Sequence, residues 1–236
     1  MKILSVDTSA TAASVAISDE NKLIGEYFIN TNLTHSQTLI PMIEQVLINT
    51  KTKIDEIDCI AVNSGPGSFT GVRIGVAAVK GLAFANNTPC ISVSTLCSMA
   101  YNMIGKSCTV CSVMDARCSQ VYNALFKVSN NKVTRLCDDR AFSMSDLKSE
   151  ITQIDDNIVI VGDGANIFYE YLNDELKNVE LAPINQRYQR ASSTALAAFE
   201  QIKSGSNAVT ANELMPAYLR LPQAQRELNK KLGVKK

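Results

Sequence analysis

The sequence predicts an α/β protein built from two similar units in tandem, and three observations carry that reading. A strand ending in aspartate, a short polar turn and a returning strand occur twice, as S-V-D-T-S-A-T-A-A-S-V-A-I over 5–17 and V-M-D-A-R-C-S-Q-V-Y-N-A-L-F over 113–126. Each copy is followed by a third strand and then by alternating helices and strands, the order that folds into a mixed sheet with helices on its faces. With 236 residues, 46% of them hydrophobic, the chain can bury two modest cores. The boundary is expected near Gly105–Ser107, giving one lobe at 1–105, a second at 106–220 and a basic tail at 221–236.

In the first unit a strand runs to Asp7, a second covers Ser14–Ser18 and a third Leu23–Ile29. A helix follows, because Leu39, Ile40, Ile43, Val46 and Leu47 recur at helical spacing; Ser36 or Thr38 is the expected cap, with Pro41 near the first turn. Cys59–Asn63 reads as a buried strand. The Gly- and Pro-rich turn S-G-P-G-S then starts a helix reaching about Asn86, and Cys90–Val93 is the next strand. In the second unit, strands are expected through Asp115, over its return, at Lys132–Cys137 and in N-I-V-I-V-G-D-G-A, with helices at Ser145–Ile151, 166–176 and 193–204. The last helix is expected to pack back on the first lobe.

Charge narrows the function classes. Lys+Arg and Asp+Glu are both 23, so the net charge is zero, whereas proteins that grip RNA by themselves show a basic excess. Only K-K-L-G-V-K-K at 230–236 is locally basic. The start, M-K-I-L-S-V-D, is too short an apolar run for a signal peptide, and no stretch reaches the roughly 20 apolar residues of a membrane span. Seven cysteines at irregular spacing fit reduced thiols in the cytoplasm.

Each motif has a chemical and a structural reading. Asp7, beside Thr8, Ser9 and Thr11, has the layout of the first phosphate loop of the superfamily joining actin, sugar kinases and heat-shock chaperones. Those loops carry glycine after the Asp; here Thr8 and Ser9 put side chains in the way, which favours an Asp7 that bonds turn amides. The single His35 cannot form a histidine pair for a metal or complete a Ser-His-Asp relay. Cys108 and Cys111 have C-x-x-C spacing, but residues three apart on a strand point to opposite faces, so packing is the better reading. G-D-G at 162–164 is a strand-to-helix turn that decides little alone.

The helix T-G-V-R-I-G-V-A-A-V-K-G-L-A-F-A is more informative. Gly71, Gly75, Ala78, Leu82 and Ala85 share one face, Val72, Val76, Val79 and Ala83 the next, and Arg73 and Lys80 the remainder. Interior glycine costs roughly 1 kcal/mol against alanine, so Gly75 and Gly81 imply a close approach by another element. Apolar character over more than half the circumference implies burial beyond one sheet surface, by intrachain core or by a partner.

Together these residues resemble the TsaB (YeaZ) family: I-L-S-V-D-T-S at 3–9, S-G-P-G-S-F-T-G-V-R-I-G at 64–75, K-G-L-A at 80–83, S-V-S-T-L at 92–96, D-A-R at 115–117, V-Y at 121–122 and Y-L-R at 218–220. The resemblance implies two actin/RNase H-like lobes and a non-catalytic subunit of the machinery that makes threonylcarbamoyladenosine in tRNA. It would pair with the catalytic paralogue TsaD, work with the ATPase TsaE, meet tRNA only through the complex, and form a homodimer when alone. The paralogue carries N-H-x-x-x-H after its K-G-L-A-like helix; this chain has V-S-T-L-C-S-M at 93–99, without histidine. No metal, cofactor or catalytic residue is expected, with Asp7 the one vestigial candidate. The family's contact on the two N-terminal helices points to Leu39, Ile43, Val46, Val72, Gly75, Val76, Val79 and Leu82. Cys118 and Q-A-Q-R at 223–226 depart from the family pattern. The enzymatic alternative is a small carboxylate or sugar kinase holding Mg-ATP at Asp7; a metalloprotease fails on the single histidine.

Overall fold

Strand β1 (Lys2–Asp7) is buried on both faces, and its alternation decides what each face meets. Leu4 and Val6 enter one core and Ile3 the other, as a period of two requires. It lies in a five-stranded sheet ordered β3-β2-β1-β4-β5, with β2 at Ala12–Asp19, β3 at Leu23–Asn30, β4 at Cys59–Gly65 and β5 at Cys90–Ser94. β1 to β3 pair antiparallel, while β4 and β5 run parallel to β1. The computed structural model describes residues 1–31, 33–173 and 175–220, so the expected tail at 221–236 and Q-A-Q-R at 223–226 lie outside the described residues.

Helices α1 (His35–Thr50) and α2 (Phe69–Asn86) cover one face of this sheet. α1 starts earlier than its expected cap: Thr34 is the N-cap without a side-chain bond, and Pro41 lies inside the helix, beyond its first turn. α2 is capped by Ser68, whose hydroxyl accepts from Gly71 N. The other sheet face is covered by α7 (Ala191–Lys203), whose Ala195, Ala197, Ala198 and Phe199 pack on Ile3, Cys59, Ala61, Ile91 and Val93. Glu26 of β3 fixes its start: Oε2 pairs with Arg190 Nη2 at 2.5 Å, and Oε1 accepts from Ser192 N at 3.1 Å. The return of the last helix to the first lobe is therefore observed.

A short helix α3 (Thr95–Ala100) leads to the second sheet, ordered β11-β10-β6-β7-β8. Its strands are β6 (Cys108–Asp115), β7 (Gln120–Ser129), β8 (Lys132–Arg135), β9 (Arg140–Ser143), β10 (Ile158–Val161) and β11 (Val179–Leu181). β8 and β9 share β7, pairing with its two ends. Helices α4 (Met144–Ile151) and α5 (Ala165–Leu172) cover the outer face, and α6 (Ile184–Arg187) is one turn. The strand expected at Lys132–Cys137 is β8, which ends at Arg135; β9 beyond it was not expected, and α3, β11 and α6 are too short to leave a periodic signal.

The glycines of α2 separate by environment. A Cβ at Gly75 would collide with Thr8 Oγ1 and one at Gly71 with Thr8 O, whereas Gly81 is exposed with open space around it. Gly81 therefore makes no close approach inside the chain, and Gly75 makes its approach to the β1–β2 turn. The two positions should respond oppositely to alanine. Gly75→Ala should destabilise by roughly 1–3 kcal/mol through overpacking, and Gly81→Ala should stabilise by up to about 1 kcal/mol through helix propensity. Equilibrium denaturation of both variants checks this; the same sign for both would contradict it.

Candidate functional site

Four turns meet between the two sheets: the β1–β2 turn, the start of α2, the β6–β7 turn and the β10–α5 turn. They enclose a cleft of about 640 Å³, whose lining includes Ser9, Thr11, Pro66, Phe69, Asp115, Tyr122 and Asp163. Residues 217–220 close one side. This is where the two strand-ending aspartates of the repeat could cooperate in phosphate chemistry.

On the first-lobe side the place is filled by the chain itself. Thr8 Oγ1 donates to Gly71 O at 2.7 Å, and Ser68 N donates to Ser9 O at 2.7 Å. A Cβ at Gly67 would strike Ser9 O, so the glycines of S-G-P-G-S-F-T-G-V-R-I-G admit the Thr8–Ser9 turn. Asp7 points inward: Ser9 N and Ser9 Oγ both donate to Oδ1 at 2.8 Å, and Asn63 Nδ2 donates to Oδ2. Burial holds its carboxyl above the usual range despite these bonds. The residue is a fully buried anchor of its turn.

The second-lobe side is open. Asp115 Oδ1 accepts from Arg117 N at 2.7 Å. Arg117, Cys118 and Ser119 follow with φ of 66°, 56° and 54°, three successive left-handed residues, each costing roughly 1–2 kcal/mol. Asp163 Oδ1 accepts from Gln189 Nε2 at 2.8 Å. Burial pushes the Asp163 carboxyl up to about 6, with the charges of Asp115 and Asp7 adding to it. Gly162 (φ 113°) and Gly164 let this turn sit against Val113 and Met114.

The other candidates resolve into structure. His35 Nε2 lies 2.7 Å from Ala10 O and so donates to it, tying α1 to the β1–β2 turn. Cys108 and Cys111 enter different cores on opposite faces of the second sheet, and burial pushes Cys111 up to about 12. Residues 93–99, where the paralogue's histidines would fall, end β5 and start α3. Ser98 Oγ there is 3.0 Å from Thr194 Oγ1 of α7. Among the described residues no group of three or more His, Cys, Asp or Glu is placed to hold a metal, and no helix is long and apolar enough to cross a membrane.

Most of the residues expected to face a partner lie inside the fold. Leu39, Ile43, Val46, Val72, Gly75, Val76 and Val79 are buried in the first-lobe core, and Leu82 is half-buried against it. Large aliphatics at helical spacing mark the face that the sheet demands first, and the sequence pattern cannot separate that demand from a partner's. The exposed sides carry Ile40 (51%) and Ile48 (58%) on α1, and Ala77, Gly81 and Phe84 (66%) on α2. Sequence reading also missed the work of Arg73 and Lys80. Arg73 Nε donates to Tyr218 Oη at 2.6 Å, and Lys80 Nζ donates to Asn212 O and Leu214 O at 3.2 and 3.1 Å. No local pattern announces contacts between residues so distant in sequence.

Two paired sheets with this repeat and this cleft define a protein of the actin/RNase H-like class. A family model described as TsaD, tRNA N6-adenosine threonylcarbamoyltransferase, matches residues 28–228. The chain is 31% identical over 233 residues to the tRNA threonylcarbamoyladenosine biosynthesis protein TsaB of Haemophilus influenzae, covering 93% of this chain and 94% of that protein. It is 28% identical to the Bacillus subtilis protein of the same name, over 95% of this chain and 96% of that one. A solved structure titled YeaZ from Pseudomonas aeruginosa superposes with a TM-score of 0.78 at 25% identity, covering 92% and 99% of the two chains. The chain belongs to the TsaB (YeaZ) family.

Asp163 yields a pH prediction. Its folded pKa lies above the ordinary carboxylate value, so its protonation stabilises the fold fully at about pH 4 and below, and that contribution is lost as pH rises through about 6. Asp7 shifts in the same direction but is common to wild type and variant. Asp163→Asn should therefore gain stability relative to wild type as pH rises from about 4 to about 7 in thermal melts. A difference that stays flat across that range would show that Asp163 does not titrate there.

Proposed function

We propose that this chain is the non-catalytic subunit of a threonylcarbamoyl transferase complex, pairing with TsaD and working with the ATPase TsaE in the cytoplasm, with tRNA reached only through the complex. Membership of the family assigns the chain to formation of tRNA threonylcarbamoyladenosine. The single observation that carries the non-catalytic part is the filled cradle. The turn and helix start that would hold phosphate instead hold Thr8 and Ser9, and Asp7 has its oxygens bonded internally. Replacement of the paralogue's histidine segment by core-packed α3 supports the same division of labour. A small carboxylate or sugar kinase would need that cradle open and is not favoured.

In this reading residues 1–105 and 106–220 act as two lobes of a scaffold, and the outer sides of α1 and α2 are the pairing surface. Ala77, Gly81 and Phe84 recur on one side of α2 at helical spacing, and small residues there let another helix come close. The same surface would serve a homodimer of the isolated chain.

Two measurements test this. The purified chain alone should neither hydrolyse ATP nor transfer threonylcarbamoyl; turnover that survives repurification and vanishes in Asp7→Ala would restore the kinase reading. Gly81→Glu should leave the melting temperature close to that of wild type while weakening titrated binding to TsaD, each roughly 1.4 kcal/mol lost being about tenfold in affinity. Undiminished binding by Gly81→Glu would move the pairing surface elsewhere.

A further inference from the structure

After Lys203 the chain returns along the first lobe and crosses the cleft, and its contacts form a continuous line. Val209 pairs with Cys90 at the sheet edge, Leu214 enters the first-lobe core, and Ala217 N donates to Ser64 O at 2.8 Å at the end of β4. Gly65 makes room for Ala217 O, where a Cβ would collide. Tyr218 stacks on Phe69 with ring centroids 4.9 Å apart, and its hydroxyl accepts from Arg73 Nε, whose guanidinium lies 3.7 Å over the Phe69 ring. Two residues on, Arg220 Nη1 donates to Ala116 O at 2.8 Å, across the cleft in the second lobe.

The two ends of this line differ in kind. At one end, Arg73 is exposed on α2, one turn before Ala77 and two before Gly81. At the other, Ala116 opens the β6–β7 turn, where three left-handed residues are held by Arg117 N to Asp115 Oδ1, Ala116 N to Gln120 O and Met144 N to Ser119 O. Tyr218 is 44% exposed, so water competes for its bonds and the closure is a surface contact able to open without unmaking a core.

We propose that Ala217–Arg220 form an intrachain latch that transmits the state of the outer face of α2 to the strained β6–β7 turn on the far side of the cleft. Whatever displaces or holds Arg73 loosens or fixes Tyr218, and through the two residues that follow it changes the hold of Arg220 on Ala116. The coupling runs through contiguous bonded and stacked groups with two discrete arrangements, latched and unlatched. It is a property of the chain alone and stands whether or not α2 carries a partner, so its test is independent of pairing with TsaD.

The test is amide hydrogen exchange read by mass spectrometry on the full chain. Arg73→Ala removes a side chain whose hydrogen bond and ring contacts are with Tyr218 and Phe69; it should nevertheless speed exchange at residues 116–120 severalfold. Arg220→Gln, which leaves α2 untouched, should do the same, and the double variant should be no faster than the faster single variant, because both cut one line. Tyr218→Phe keeps the ring stack and removes only the hydroxyl, so it repeats the Arg73 test in a form that preserves packing. Exchange at 116–120 that is unchanged in Arg73→Ala and Tyr218→Phe, with changes confined to 66–74 and 217–219, would overturn the latch. Additive effects in the double variant would overturn it as well.

Discussion

The contact on which the first lobe depends is the seating of the Thr8–Ser9 turn in the glycine-lined start of α2. Thr8 Oγ1 bonds Gly71 O, Ser68 N bonds Ser9 O, and His35 reaches Ala10 O from α1. Together they fix the end of β1, the entry of α2 and the entry of α1 relative to one another. A helix start presents unsatisfied amides and a positive end, which is why so many proteins place phosphate there. Here a backbone carbonyl and the Ser68 cap meet that demand. The geometry that elsewhere holds phosphate here joins three chain segments.

The second lobe uses the device differently. Gly162 and Gly164 bring the β10–α5 turn against the end of β6 as the α2 glycines do against β1. Yet Asp115 and Asp163 remain in the cleft lining, whereas Asp7 is sealed. Two copies of one plan have thus diverged by where a hydroxyl-bearing turn was placed. The first is a buried packing element, and in the second burial, with a smaller contribution from neighbouring carboxylates, raises the Asp163 carboxyl.

Much of this was legible in the sequence, for reasons that also explain the misses. The repeated Asp-ending strand pairs are period-two patterns between polar turns, and they fall where β1–β2 and β6–β7 lie. The opposed thiols of Cys108 and Cys111 follow from strand geometry alone. The residues expected to face a partner prove to be buried, because Leu39, Val46 and Val79 satisfy the sheet as well as they would satisfy another protein. What distinguishes an outer face is exposure, which only the fold assigns. The same limit hid Arg73 and Lys80, whose partners lie more than 130 residues further along the chain.

One consequence of α7 concerns synthesis. The inner face of the first sheet, with Ile3, Ala61, Ile91 and Val93, is covered by residues 195–199, so the first lobe shares a core with a segment made after the whole second sheet. A chain emerging from the ribosome therefore presents that apolar face uncovered until α7 has been translated. The first lobe matures late although its strands come early. Any nascent chain that stalls before Ala191 exposes a sheet surface suited to sticking to other chains.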